Sequence, residues 1–216
     1  MKKYFFLVIT FCSGNFAFSQ PAVRNEPRHH NVFENDYVRV LDVYLAPHDT
    51  TQFHVHATPS VFITFTKTAT ASQLIGQQAV KSLSVAGGVW YDSLITPRIH
   101  RVWNEDTTWF HVMDVEITAA PPYKQEPGLQ ISALKLLFDE PQVRGYLAQL
   151  TAQENITIPA SATGYLLISV GEAAVTLQQG STIQHRLMKA GHYCWINEET
   201  IITGDAPSAF IVLQLK

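Results

Sequence analysis

The feature that most constrains this chain is that its second half repeats its first. Residues 33–39 (FENDYVR) match 138–144 (FDEPQVR) at an offset of 105. Residues 60–63 (SVFI) match 164–167 (GYLL) at 104, and Ala86-Gly87 matches Ala190-Gly191 at the same offset. Residues 109–115 and 209–215 match at an offset near 100. Four anchors in one order make two copies of one structural unit. The units are expected over 27–118 and 129–216. The segment 119–128 (AAPPYKQEPG) forms the linker, because its prolines and glycine interrupt any regular element.

Each unit reads as strands. Residues 37–45 (YVRVLDVYL) alternate and are rich in β-branched and aromatic side chains, and 61–66, 110–117, 165–170 and 210–215 do the same. A helix over 131–137 competes with a strand there, and the repeat favours the strand. Short strands at near-regular spacing predict an all-β sandwich or barrel.

Composition narrows the function. The chain has 216 residues, 46% apolar and 15% charged, with a formal net charge of −3, so it can bury a core. Without a basic run it offers no phosphate-neutralising stripe, which argues against a nucleic-acid partner. No stretch of 18 or more apolar residues is present, so no membrane span is expected. Residues 1–19 read as a signal peptide: Lys2 and Lys3, an apolar run over 4–12, then Ala17-Phe18-Ser19 before Gln20. A periplasmic or secreted protein is therefore expected. Phe11 before Cys12 argues against a lipid anchor. Cys194, left alone in Tyr193-Cys194-Trp195-Ile196, reads as an inert buried thiol. The sequence contains no G-x-S-x-G elbow, P-loop or dinucleotide-binding glycine fingerprint.

Nine histidines remain to be explained. His54 and His56 flank Val55, and on a strand residues i and i+2 share a face, so both imidazoles can meet one metal ion. Two exposed polar residues on a strand are the plain alternative. His111 shares a face with Trp109 and Met113 and reads as a hydrogen-bonded core histidine. His185 and His192 read as surface or turn residues. His29 and His30 read as part of an unstructured polar arm.

At this point the chain resembles the cupin family, whose first motif is a Pro-Gly turn, then HxH, then a glutamate four residues on. Pro47-His48 stands at the turn and His54-Val55-His56 follows at the family's spacing. Ile99-His100-Arg101-Val102-Trp103-Asn104 is similar to the second motif, a histidine with an asparagine four residues later. The resemblance implies two tandem cupin-type jelly-roll β-barrels, with His54, His56 and His100 as metal ligands inside the first. It implies a divalent transition metal, Fe, Mn, Ni or Zn, and a small-molecule ligand. Three departures stand out: Ser60 replaces the glutamate, His48 the turn glycine and Lys67 the closing glycine. The repeat sets Ile158 and Ala160 opposite His54 and His56, and Glu199 or Thr200 opposite His100, so the second barrel is expected to be metal-free.

Two classes of function follow. One is a metal-dependent enzyme of dioxygenase or isomerase type. The other is a non-catalytic small-molecule or sugar-binding module, and a homodimer paired through exposed sheet edges is a further reading. Trp90, Tyr91, Trp103 and Phe62 are candidates for a pocket wall, and Arg98 or Arg101 for binding a substrate carboxylate.

Overall fold

The computed structural model describes residues 20–120 and 126–216; the expected signal segment and the middle of the linker lie outside the described residues. The first half forms β1 (His29–Glu34), β2 (Val38–Leu45), β3 (His54–His56), β4 (Ser60–Thr64), β5 (Ala69–Leu74), β6 (Val80–Leu83), β7 (Gly88–Asp92), β8 (Arg98–Asn104) and β9 (Phe110–Ile117). The second half forms β10 (Leu134–Asp139), β11 (Val143–Leu150), β12 (Asn155–Ile158), β13 (Tyr165–Ser169) and β14 (Ala173–Gln179). It continues with β15 (Thr182–Met188), β16 (Tyr193–Ile196), β17 (Thr200–Gly204) and β18 (Ser208–Leu215). A short 3-10 turn, Val23–Asn25, precedes β1. Residues 134–139 are strand, as the repeat required.

Each half folds into two facing antiparallel sheets, a jelly-roll barrel. In the first, the orders are β1-β2-β9-β4-β7 and β3-β8-β5-β6; in the second, β10-β11-β18-β13-β16 and β12-β17-β14-β15. The second pair of orders is the first with every strand advanced by nine. One sequence match needs correction. Ser60 pairs with Glu116 as Tyr165 pairs with Gln214, while Val38 pairs with Ile117 as Val143 pairs with Leu215. Ser60 therefore corresponds to Tyr165, not Gly164. A one-residue slip matters because it exchanges the two faces of a strand.

The two five-stranded sheets pack against each other. Val38, Val40, Val61, Ile63, Met113 and Val115 meet Val143, Leu166, Ile168, Ile211, Leu213 and Leu215 in one buried apolar seam. Each such side chain contributes roughly 1.5–3 kcal/mol on burial, which makes the seam a principal stabilising element. The central strands are covered on both sides, so β4 and β13 are buried at every position. The opposite faces of these strands line the barrel interiors, and there the halves differ. The second barrel is filled by Tyr146, Ile158, Tyr165, Met188, Ile202, Phe210 and their neighbours. The first encloses a cavity of about 450 Å³.

The turn before β16 holds Gly191 at φ +81°, and a Cβ there would lie 2.6 Å from His111 Cε1 across the seam. His111 is fixed by a 2.7 Å contact from Nε2 to Asp42 and by stacking on Tyr44 at 4.0 Å, so it has little room to move. Gly191→Ala is expected to cost about 1–3 kcal/mol and lower the melting temperature by several degrees. Gly76→Ala, at φ +75° with nothing within 4 Å of the added Cβ, should cost less; thermal unfolding of both variants checks this.

Candidate metal centre

The site is built where β3 and β8 run side by side. His54 pairs with His100 in the ladder, and His56 lies two residues on from His54, so one face of the small sheet presents three imidazoles to the barrel interior. Ring centroids are 4.8 Å apart for His54 and His100, 4.9 Å for His56 and His100, and 4.9 Å for His54 and His56. His54 is 0% exposed and His56 2%.

A fourth imidazole comes from a place the sequence reading left unstructured. His29 and His30 belong to β1, and His29 is buried with its ring centroid 4.7 Å from that of His54. The ligand nitrogens of His29, His54 and His56 all lie within 4.8 Å of one another. The segment before β1 lies along β3: Val55 N–H donates to the Pro21 carbonyl at 2.9 Å, and Ala22 bridges to Val55. Arg28 pairs with Asp49 through two contacts of 2.7 and 3.0 Å.

Backbone irregularity helps to aim these rings. Thr50 bridges to Trp103 and His54 to His100, so four steps along one strand oppose three on the other. This is a β-bulge, which releases backbone groups from the ladder. The groups of Gln52 go to the site. Its N–H donates to Glu26 Oε1 at 3.1 Å, and its carbonyl accepts from His54 Nδ1 at 2.8 Å. In the second half Asn155 pairs with Thr203 and Ile158 with Thr200, three steps against three, with no bulge.

Three of the four rings have an acceptor facing their outer nitrogen. His54 Nδ1 faces the Gln52 carbonyl, His29 Nδ1 faces Glu26 Oε2 at 2.7 Å, and His56 Nδ1 faces Asp114 Oδ2 at 3.3 Å. The last contact is a close approach of charge-bearing atoms rather than an aligned hydrogen bond: among the described residues neither His56 Nδ1 nor either Asp114 oxygen has a hydrogen-bond partner. With the Nδ1 nitrogens protonated toward these acceptors, the Nε2 nitrogens turn lone pairs inward. The Nε2 atoms of His54 and His56 are 3.0 Å apart. Two lone pairs repel at that distance unless a proton or a cation lies between them. Neighbouring nitrogens on a metal with bonds of about 2.1 Å are separated by roughly 3.0–3.4 Å. The donor set fits a first-row transition ion.

The environment keeps His54 and His100 in the neutral form that binds metal. Burial, then the charge of His29, lower His54 to about 4; burial, then His56 and His54, lower His100 to about 2. Glu26 is raised by burial, but His29 and the N–H groups of Gln52 and Arg28 outweigh that and hold it below the ordinary range.

The cavity beside the rings is largely apolar. Phe62 and Trp90 stack at 5.2 Å, and Val43, Leu45, Phe110 and Val112 continue the wall. Arg98 lines it, ion-paired to Asp92 and 5.8 Å from the centre of Phe62. Arg101 lies over Phe53 and Trp103 instead, away from the cavity lining. Tyr91 packs into the seam. Ser60 is buried, with its hydroxyl donating to the Thr58 carbonyl, and it does not line the cavity. His48 adopts φ +62° at the family's glycine position. Asn104 donates to the carbonyls of Leu45, Ala46 and Thr108, anchoring the loops behind β8. Cys194 is half-buried, and burial raises its thiol.

Acid titration tests the neutral state of these histidines. In metal-free protein, stability is expected to be level above pH 6.5. Below 6.5 it should fall by about 1 kcal/mol per histidine per pH unit, because the unfolded chain takes up protons that folded His54 and His100 refuse. Urea midpoints at pH 7.5 and 5.5 measure this. His100→Leu should show a smaller drop, and an unchanged wild-type midpoint would contradict neutral burial.

No family model matches the chain, and no curated protein matches it in sequence. Solved structures do match. Salicylate 1,2-dioxygenase from Pseudaminobacter salicylatoxidans aligns with a TM-score of 0.60 at 9% identity, covering 82% of this chain and 70% of the other. YhhW from Escherichia coli aligns at 0.58 with 17% identity over 82% of this chain and 80% of the other. YhaK from Escherichia coli aligns at 0.54 with 14% identity over 86% and 90%. At such identities the likeness establishes architecture: the chain has the cupin fold twice in tandem, a bicupin.

Proposed function

We propose that the first barrel is a divalent transition-metal centre, with His54, His56 and His100 as ligands, acting on a small molecule held in the adjoining cavity. The observation that carries this reading is the pair of inward-facing Nε2 atoms 3.0 Å apart, buried and backed by acceptors at Nδ1. When bound, an ion such as iron or manganese supplies oxygen activation, and zinc or nickel supplies Lewis-acid polarisation of a substrate oxygen.

The chain's own residues set the rest. Phe62 and Trp90 give a flat apolar wall suited to an aromatic or unsaturated body. Among the described lining residues Arg98 is the one Lys or Arg side chain, so it is placed to receive an acidic group. Asp114, 1% exposed, approaches His56 Nδ1 at 3.3 Å, and its negative charge there favours a proton on that nitrogen and leaves the other one basic. The reading is thus a metal-dependent dioxygenase for a small aromatic or unsaturated acid, with isomerase-type chemistry as the variant for a redox-inert ion.

A second reading rests on a different part of the lining. Ser72, Ser82, Gln77 and Gln78 form a hydrogen-bonding rim on β5, β6 and their connection, which suits a sugar bound without turnover. Export through the segment 1–19 also belongs to this proposal, and intact mass of protein from the periplasmic or culture fraction should place the mature N-terminus at Gln20.

Protein purified without chelator or affinity histidines should carry about one equivalent of a transition metal, absent from the double variant His54→Ala/His100→Ala. Asp114→Asn should weaken metal binding by about 10–100-fold. With iron loaded anaerobically, oxygen uptake on adding small aromatic acids supports the dioxygenase reading. Saturable sugar binding with no oxygen uptake supports the binding module, and wild type that takes up none of iron, manganese, nickel or zinc overturns the metal centre.

A further inference from the structure

We infer that the metal centre has a fourth imidazole ligand, His29, and that buried Glu26 is the positioning residue that aims it. This rests on the metal reading above and extends it to a segment outside both motifs that the sequence displays.

Three observations converge. A ligand nitrogen of His29 lies within 4.8 Å of those of both His54 and His56, a grouping that does not include His100, whose ring packs against His54 and His56 from β8. His29 Nδ1 is engaged by Glu26 Oε2 at 2.7 Å, which leaves Nε2 as the nitrogen available to a metal. Glu26 is itself 1% exposed and fully engaged. Oε1 accepts the Gln52 N–H released by the bulge, and Oε2 also accepts the Arg28 N–H at 2.8 Å. A carboxylate buried this deeply is costly unless it serves paired groups, and those it serves are a candidate ligand and the residue that orients His54.

The inference also accounts for Ser60. A site that lacks the carboxylate ligand at that position gains a neutral nitrogen from another direction. The ligand set is then four imidazoles, with the anionic charge moved outward to Glu26 and Asp114 behind the rings. Since His29 sits beyond a segment stitched to β3 through Pro21 and Ala22, bound metal would also tie this segment to the barrel.

The test is read on the metal, using zinc alone. Nitrogen NMR of histidine side chains in wild-type protein should show the Nε2 resonances of His29, His54, His56 and His100 all moving on adding one equivalent of zinc. His30, exposed on the same strand, should not move. In metal-free protein Glu26→Gln should shift the His29 ring nitrogens, because the Nδ1–H tautomer loses its carboxylate partner. Chelator competition should show His29→Ala binding zinc about 10–100-fold more weakly, and cobalt in its place should give an altered visible spectrum. His30→Ala should match wild type in both. Zinc that moves His54, His56 and His100 but leaves His29 unmoved overturns this inference and leaves the three-histidine centre intact. Wild type that binds no zinc or cobalt overturns both. Because the nitrogen spectra are taken on wild type, the result does not depend on whether His29→Ala folds.

Discussion

The arrangement depends on the apolar seam between the two five-stranded sheets. Each sheet has two apolar faces to cover, and the seam covers one face of both at once. That leaves the inner face of each barrel to be settled separately. In the second barrel Tyr146, Tyr165 and Phe210 complete the packing. In the first, the seam and the filled partner supply stability that permits a hollow interior with His29, His54 and His56 buried and His100 half-buried beside them, whose desolvation is unfavourable.

The interior of the first barrel is organised in layers of charge. Imidazole rings face the centre, and the carboxylates of Glu26 and Asp114 stand behind two of them. Farther along the same inner face, Arg39 pairs with Glu116 at 2.8 Å. Burial and the nearby Asp114 raise Glu116, while Arg39 opposes that rise. Placing the negative charge behind the rings strengthens their basicity without occupying positions around the central point.

Much of this was legible in the sequence. The repeat disclosed two equivalent all-β units, because strands with the same neighbours carry the same apolar spacing. The alternation around His54 and His56 placed both rings on one face, and the match of Ile99-His100 to a known pattern brought in the third. Ile158 and Thr200 do face each other where His54 and His100 do in the first unit. The match of Ser60 to Gly164 failed by one residue, since its apolar pattern fits either register and only the ladder decides. Asp114 was hidden in a strand whose other inward residues include Phe110 and Val112, and nothing local marks it. His29 was set aside because a polar run with Pro27 reads as a loose arm. The signal available was Glu26-x-x-His29, an acid and an imidazole close enough to pair, but such spacing is common and gains meaning only from β3 beside it.

The bulge at Gln52 and Phe53 has a consequence for how the two repeats can be compared. Position by position they differ in residue type, and a substitution table would attribute the change from hollow to filled barrel to histidines exchanged for isoleucine and threonine. Yet the first repeat also carries one more residue between the ladder pairs flanking this point than the second. The irregularity frees the two backbone groups of Gln52, the N–H that donates to Glu26 and the carbonyl that accepts from His54. Introducing histidines at 158 and 200 would copy the side chains but not the unpaired amide and carbonyl that orient them. Chain length at a single place is therefore part of the ligand-binding code, and an alignment that closes the gap discards it.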